Sequence, residues 1–146
     1  MEFIGILVLV IVSMLGLAAF AIAMARLMGK WFGRLSGWSD LAKRFPGAAD
    51  MPEGTVTGAV KIGSVFFRFG PRFSSTPQGF YMVYKSVYSY PPLLIPWDQF
   101  KNQKRAILFW RSARCMEIGS PVITTLTILE DTYKRMEPFL SGLEKK

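Results

Sequence analysis

Hydrophobic residues fill the first part of the chain almost without interruption. From Phe3 to Ala25 there is a run of 23 positions without a charged residue or a proline. As an α-helix this run is about 34 Å long, enough to cross a hydrocarbon core of about 30 Å. The pattern predicts a transmembrane helix, which together with an interfacial extension takes up residues 1–37.

The charges that flank this run favour a retained anchor over a secretory signal peptide. A signal peptide begins with a positive region and has a shorter apolar core, although the small residues at 19–23 would suit a cleavage site. Here the N-terminal side carries only Glu2, whereas Arg26 and Lys30 follow the run. Because basic flanks stay in the cytoplasm, we expect the N-terminus outside and the remainder inside. A single cysteine, Cys115, agrees with a reducing compartment.

Two patterns overlap where the predicted helix leaves the membrane. Small residues recur at every fourth position, a spacing that lets another helix approach closely. They are Ala21, Ala25, Gly29, Gly33 and Gly37. Tryptophans and cations in the same segment suit the headgroup region. They are Arg26, Lys30, Trp31, Arg34 and Trp38. Each isolated glycine in a helix costs about 1 kcal/mol, so we expect a packed partner helix here; a flexible tether is the alternative.

Residues 38–57 are interpreted as a short helix and a linker. In WSDLAKRFPG, Ser39 is a candidate N-cap and Pro46-Gly47 a stop signal. The segment 46–57 is rich in proline, glycine and small polar residues, as linkers are. The remaining residues, 58–146, form the predicted cytoplasmic domain.

Apolar and polar residues in that domain alternate with a period of two, which predicts antiparallel strands. The alternation covers residues 65–69, 80–85, 106–111 and 122–128, with shorter strands expected at 93–97 and 114–118. Two basic clusters, 68–72 and 101–105, are interpreted as hairpin loops, and Ser74 and Ser75 as turn residues.

The chain ends in a different pattern, an apolar stripe with helical spacing. Its members are Leu129, Tyr133, Met136, Leu140 and Leu143. Pro138 lies within the stripe and predicts a kink or a new helix start, because proline lacks the N–H that a helix needs. The fold class is therefore one N-terminal transmembrane helix plus a small α+β domain. Its antiparallel sheet or partial barrel is capped by a C-terminal helix.

The stretch SYPPLLIPWD, residues 89–98, predicts an edge strand. Proline cannot donate a hydrogen bond to a neighbouring strand, so a strand with three prolines belongs at an edge or a bulge. The residues assigned to this edge are Pro92, Leu94, Ile95 and Trp97. Their apolar side chains would close one end of the core.

The order of these elements resembles the pleckstrin-homology and GRAM-like superfamily of membrane-associated domains. The resemblance rests on GFYMV, then IPWDQF, then TTLTIL and EDTYKRMEPFL, and covers residues ~58–143. GWSDLAKRFP together with PPLLIPW also looks like small uncharacterised bacterial membrane-anchored proteins. The resemblance implies a PH-like domain on a single-span anchor in a bacterial inner membrane. It also implies that the loop with Arg68 and Arg72 contacts lipid headgroups.

The residue types that most enzymes and metal sites need are missing. The chain has no histidine, the commonest general base and metal ligand, and so Cys115 has no histidine to activate it. Glu130-Asp131 is best explained by the start of a helix, whose dipole favours carboxylates. No glycine-rich phosphate-binding motif occurs. We therefore expect no enzymatic activity, no cofactor, no metal and no small-molecule substrate.

Positive charge is concentrated in the predicted β region. Between Lys61 and Arg114 there are nine basic residues, and Asp98 is the acidic one. Anionic headgroups attract such a surface by about 1 kcal/mol per basic residue. The candidate contacts to anionic lipid or a partner are Arg68, Arg72, Lys101, Lys104 and Arg105. A face that is merely solvated is the alternative; nucleic acid is a poor match for an anchored protein.

Two function classes follow. The first is a non-catalytic accessory or assembly subunit of a larger integral membrane complex, for which an energy-transducing assembly, respiratory or photosynthetic, is one class of host. Its partners would be membrane lipids and other integral membrane subunits. It is preferred because of the small-residue helix face, the many aromatic residues of a short domain and a proline-rich edge that suits docking on a partner. The domain also carries more hydrophobic residues than about 90 residues can easily bury. The alternative is an autonomous inner-leaflet adaptor whose basic domain binds anionic lipid or a peptide.

Overall fold

A computed structural model describes residues 1–85 and 89–144. The helices are α1 (Glu2–Ser36), α2 (Trp38–Arg44) and α3 (Glu130–Glu144). The strands are β1 (Val56–Thr57), β2 (Val60–Ile62), β3 (Val65–Phe67), β4 (Pro71–Thr76), β5 (Gly79–Lys85), β6 (Ser89–Ile95), β7 (Phe100–Leu108), β8 (Arg111–Ile118) and β9 (Thr124–Leu129). A 3₁₀ turn, Trp97–Gln99, separates β6 from β7.

Helix α1 is long and apolar enough to cross a membrane. It contains 35 residues, and its most apolar 18-residue window has a mean hydropathy of 2.9 with none of the window buried. The helix continues past the apolar run and ends at Gly37, whose φ of 82° and N–H bond to the Arg34 carbonyl close the last turn. The predicted long N-terminal helix is thereby confirmed.

The strands form two antiparallel sheets. The first has four strands in the order β1-β4-β5-β6, and the second has five in the order β3-β2-β9-β8-β7. The described strands do not close into a barrel, and α3 follows the last of them. This confirms the small antiparallel β domain with a C-terminal helix.

One core joins both sheets and two helices. Fully buried side chains come from α2 (Trp38, Leu41), from both sheets (Met82, Ile128) and from α3 (Met136). Helix α2 begins directly after Gly37, so Ser39 is its second residue and not its N-cap. A segment that was grouped with the linker therefore supplies part of the core.

Several predicted boundaries are wrong. The segment 106–111 is not one strand, because β7 ends at Leu108 and β8 begins at Arg111. The basic segment 101–105 lies within β7 rather than in a loop, and Ser74 and Ser75 lie in β4 rather than in a turn. Helix α3 continues through Pro138 without a break.

The proline-rich segment lies at the end of the first sheet. Pro92, Leu94 and Ile95 belong to β6, the last strand in that sheet's order, and Trp97 follows in the 3₁₀ turn. Residues after α2 cover the outer edge of β6: Gly47 donates to the Pro92 carbonyl over 2.9 Å, and the Leu94 N–H donates to the Phe45 carbonyl over 3.1 Å. These bonds satisfy backbone groups that an open edge would expose.

Candidate functional site

The last turns of α1 pack directly against the β domain. Gly29 and Gly33 are buried. The Tyr90 hydroxyl donates to the Gly29 carbonyl over 2.9 Å. A Cβ atom added at Gly33 would lie 3.0 Å from the Tyr90 ring and 3.1 Å from the Ser39 hydroxyl. Contacts of this length are tighter than most Cβ contacts, so a side chain at this position would push the tyrosine ring away by a few tenths of an ångström or more.

A second set of contacts lies about two turns further along α1. The Thr124 hydroxyl donates to the Ser36 carbonyl over 2.8 Å. Thr124 also fills the space beside Gly37, where an added Cβ would lie 2.9 Å from its own Cβ. Gly63 has a φ of 57°, and a Cβ added there would lie 2.9 Å from the Ser36 carbonyl oxygen. The helix exit is therefore held at two heights, by Tyr90 and by Thr124.

Four aromatic rings form a cluster below this exit. They belong to Trp38, Phe67, Tyr84 and Tyr90, and every pair has ring centroids between 5.2 and 6.5 Å apart. Trp38 also donates its indole N–H to the Pro91 carbonyl over 2.8 Å. Because Tyr84 and Tyr90 belong to the first sheet and Phe67 to the second, the cluster joins α2 to both.

This arrangement corrects two expectations about the membrane exit. Trp38 has no exposed surface, so it is a core residue and not a headgroup anchor. Gly29, Gly33 and Gly37 face the chain's own domain, whereas Ala21 is exposed and Ala25 is half-buried. The protein's own β domain therefore covers the part of the small-residue face that is formed by the three glycines.

The other predicted interface residues are accessible. Arg26, Lys30, Trp31 and Arg34 are exposed on the last turns of α1, with 66% of Trp31 open to solvent. Two of these cations flank Gly33 in sequence, yet they leave the glycine face free for Tyr90. These side chains are available for headgroups at the height where the domain joins the helix.

The predicted basic contact residues lie on three different elements. Arg68 follows β3, and its guanidinium lies 5.4 Å from the ring centres of both Phe69 and Phe109. Arg72 is exposed on β4 in the first sheet. The other three, Lys101, Lys104 and Arg105, are exposed on β7, the edge strand of the second sheet.

Acidic groups near the start of α3 are paired with arginines of β8. Arg114 holds both carboxylate oxygens of Glu130, with a shortest distance of 3.1 Å, and this hydrogen bonding raises the pKa of the arginine. Arg111 pairs with Asp131 over 3.0 Å. Elsewhere, burial and then the nearby charge of Asp50 raise the pKa of Tyr81. The two ion pairs connect β8 to the start of α3, and both carboxylates are occupied by arginine side chains.

Candidate metal ligands do not come together within residues 1–85 and 89–144. No group of three or more histidine, cysteine, aspartate or glutamate side chains there could hold a metal ion. Cys115 is half-buried in β8 as a free thiol. What the site offers is apolar, aromatic and cationic surface, which suits contact with membranes or proteins.

Tyr90 and Thr124 are the functional contacts that sequence reasoning missed. Tyr90 lies among prolines in a segment assigned to a sheet edge, and Thr124 lies in an ordinary strand pattern. No spacing rule links either residue to its partner in α1, which lies 61 positions away for Tyr90 and 88 positions away for Thr124. The glycines at every fourth position were the available signal that some group approaches the helix closely.

Gly33→Leu should destabilise the protein by about 1–3 kcal/mol, because the new side chain must displace the Tyr90 ring. Unfolding of the full chain in detergent micelles, followed by near-UV circular dichroism, measures the loss. Gly16→Leu is the matched control, since nothing lies within 4 Å of a Cβ at that position of the same helix. Equal stability of the two variants would contradict the packing described here.

Comparison with protein-family models, with curated proteins and with solved structures finds no match to this chain.

Proposed function

We propose that this protein is a non-catalytic, single-span membrane protein that acts as an accessory or assembly subunit of a larger integral membrane complex. Its helix anchors it in a bacterial inner membrane with the N-terminus outside. Its β domain presents a fixed surface on the cytoplasmic side. It works by helix packing and protein contacts rather than by chemistry.

The rigid junction between α1 and the β domain carries this proposal. Tyr90 bonds to the Gly29 carbonyl over 2.9 Å, and Thr124 bonds to the Ser36 carbonyl over 2.8 Å. Two attachment points seven residues apart along a helix are separated by about 10 Å, so they restrict tilting as well as separation. A fixed orientation suits a component that must meet its neighbours in one geometry. A domain that finds its ligands by moving on a flexible tether does not need a fixed orientation.

The part of α1 that the β domain does not cover supports the proposal that helices of other subunits pack against it. Its most apolar window is not covered by the chain itself, and Ala21 and Ala25 continue the small-residue face upward from the glycines that the domain occupies. A helix from another subunit could pack on that face directly above the domain. Lipid alone would cover the helix as well, and the experiment below separates the two.

The PH-like interpretation belongs to the same proposal. The resemblance implies an antiparallel sheet or partial barrel capped by a C-terminal helix. It is supported by two antiparallel sheets around one core, with a C-terminal helix after the last strand. In this interpretation α3 closes one end of the core, where Phe139 stacks on Trp97 with ring centroids 5.1 Å apart. The domain would then serve as a binding platform.

The proposal is tested by solubilising membranes of producing cells in a mild detergent. We expect native gel electrophoresis and mass spectrometry to recover the protein in a stoichiometric assembly with other integral membrane polypeptides. Ala21→Leu should reduce that recovery, because leucine blocks close helix approach. Ala19→Leu, about 200° away around the helix, should leave recovery unchanged. Wild-type protein found only as a monomer would overturn the proposal.

A second candidate, the inner-leaflet adaptor, is favoured by the exposed cations of β7. Lys101, Lys104 and Arg105 are all exposed on an edge strand. Charges on an edge protect it from pairing with other chains, so a structural explanation exists. The same row of charge would also bind anionic lipid or an acidic peptide.

The adaptor candidate predicts that the full chain, reconstituted in zwitterionic nanodiscs, binds added anionic vesicles with an affinity that falls as salt rises. Reversing Lys101, Lys104 and Arg105 to glutamate should abolish co-flotation with the vesicles. Reversing Lys43, Lys134 and Arg135, which are exposed outside β7, makes the same change in net charge and serves as the control. Equal loss in both triple variants would mean a nonspecific charge effect and would eliminate this candidate.

A further inference from the structure

Large hydrophobic side chains are exposed together at one end of the second sheet. Phe66 is 55% exposed, Phe69 and Ile107 are 78% exposed, and Trp110 is 99% exposed. Phe109 joins them, since its ring centre lies 5.6 Å from that of Phe66. We name these five residues the hairpin patch. A cluster of this kind marks a surface that meets another apolar phase.

The tip of the patch has an unusual backbone. Phe109 and Trp110 connect β7 to β8 as a two-residue turn, with φ values of 49° and 65°. Asparagine and glycine are the residues that such a turn favours, because a Cβ makes positive φ unfavourable. Two bulky aromatic residues at these positions sacrifice local stability. Strain of this kind in a turn motivates a functional role for these two side chains.

Cations are interleaved with the exposed rings. The Lys61 ammonium lies 5.0 Å from the centre of the Phe66 ring. The Arg68 guanidinium lies 5.4 Å from the ring centres of both Phe69 and Phe109. Apolar rings beside basic groups are the composition of an anionic membrane interface, where rings enter the headgroup layer and cations bind phosphates.

Strand β3 lies beside the last turns of α1, since its residues line a cavity together with Phe32 and Leu35. The strand starts shortly after Gly63, where an added Cβ would lie 2.9 Å from the Ser36 carbonyl oxygen at the end of α1. It leads to Phe67, whose ring lies 5.8 Å from that of Tyr90. Tyr90 in turn reaches Gly29, about 10 Å closer to the membrane than Ser36. The residues that follow β3 leave the second sheet at the end opposite the Gly63 turn.

The strand registers place the β7–β8 turn at the same end. Phe67 and Ile128 both pair with Val60, so β3 and β9 run in the same direction. Leu129, at the end of β9, pairs with Ala113 close to the turn. The patch also borders α1 directly, since Phe66 lines a cavity of about 450 Å³ together with Phe32 and Leu35. Apolar surface thus continues from the helix to the patch.

We propose that the hairpin patch is a second membrane contact, inserted into the same leaflet interface from which α1 emerges. Its rings enter the headgroup layer, and Lys61 and Arg68 bind anionic lipid. The inference rests on the proposed membrane anchor. It adds that the β domain contacts the bilayer surface directly and is not separated from it by water. Continuity with α1 and the interleaved cations favour a lipid surface over a protein partner.

The test uses spin labels on the full chain in nanodiscs that contain anionic lipid, in a Cys115→Ser background. Labels are placed by Phe69→Cys in the patch, by Gln78→Cys and by Leu15→Cys. Gln78 lies in the β4–β5 turn, at the other end of β4 and β5 from the patch. Collision rates with oxygen, which concentrates in the bilayer, are compared with rates for a water-soluble nickel chelate.

We expect the labels at 15 and 69 to favour oxygen and the label at 78 to favour nickel. A label at 69 that favours nickel, while the label at 15 favours oxygen, overturns this inference alone. A label at 15 that favours nickel overturns the anchor itself. Dipolar broadening at 69 would mean that a second copy covers the patch, which also overturns the inference.

The double substitution Phe109→Asn with Trp110→Gly separates function from folding. It supplies the residues that this turn prefers, so the melting temperature should stay the same or rise. The label at 69 should nevertheless shift toward the nickel-accessible pattern, because the deepest rings are gone. Replacing anionic lipid by zwitterionic lipid should shift it in the same direction. A label at 69 that is unmoved by the double substitution would overturn the role given to the turn.

Discussion

The close approach of Tyr90 to the glycine face of α1 is the constraint on which the rest of the structure depends. The ring lies so close to the helix that a Cβ added at Gly33 would be 3.0 Å from it, so the missing side chain makes room for the ring. The hydroxyl then reaches the Gly29 carbonyl. A helix long and apolar enough to span a membrane and a β domain are thereby held together by direct contacts rather than by a loose tether.

The aromatic cluster extends this constraint into both sheets. Trp38 follows the left-handed Gly37 immediately, so the end of α1 and the beginning of the core are adjacent in the chain. Its ring contacts Tyr90 in the first sheet and Phe67 in the second. The position of the helix exit thus fixes where β3 runs. Through β3 it also links α1 to the exposed rings near Phe109, which contacts Phe66.

Local sequence patterns predicted which helices and strands form. They were less successful in predicting where these elements begin and end and which residues contact one another. The apolar run, the strand alternation and the last helix follow directly from side-chain periodicity. The β7–β8 turn was missed because it uses Phe109 and Trp110 where turn residues were sought, and β4 was missed because two serines suggested a turn. The glycine spacing correctly signalled a close approach, but it could not say which group approaches. That information lies in the tertiary fold, which brings Tyr90 to Gly29 across 61 positions.

The central claim is that α1 and the β domain move as one body. It is tested most directly by the distance between spin labels at Leu17, exposed in the helix, and Gln78, exposed in the domain, measured by pulsed electron resonance on the full chain in nanodiscs. A rigid junction predicts one narrow distance distribution that is insensitive to salt. A broad distribution would mean that the domain swings on a tether, and would contradict the account.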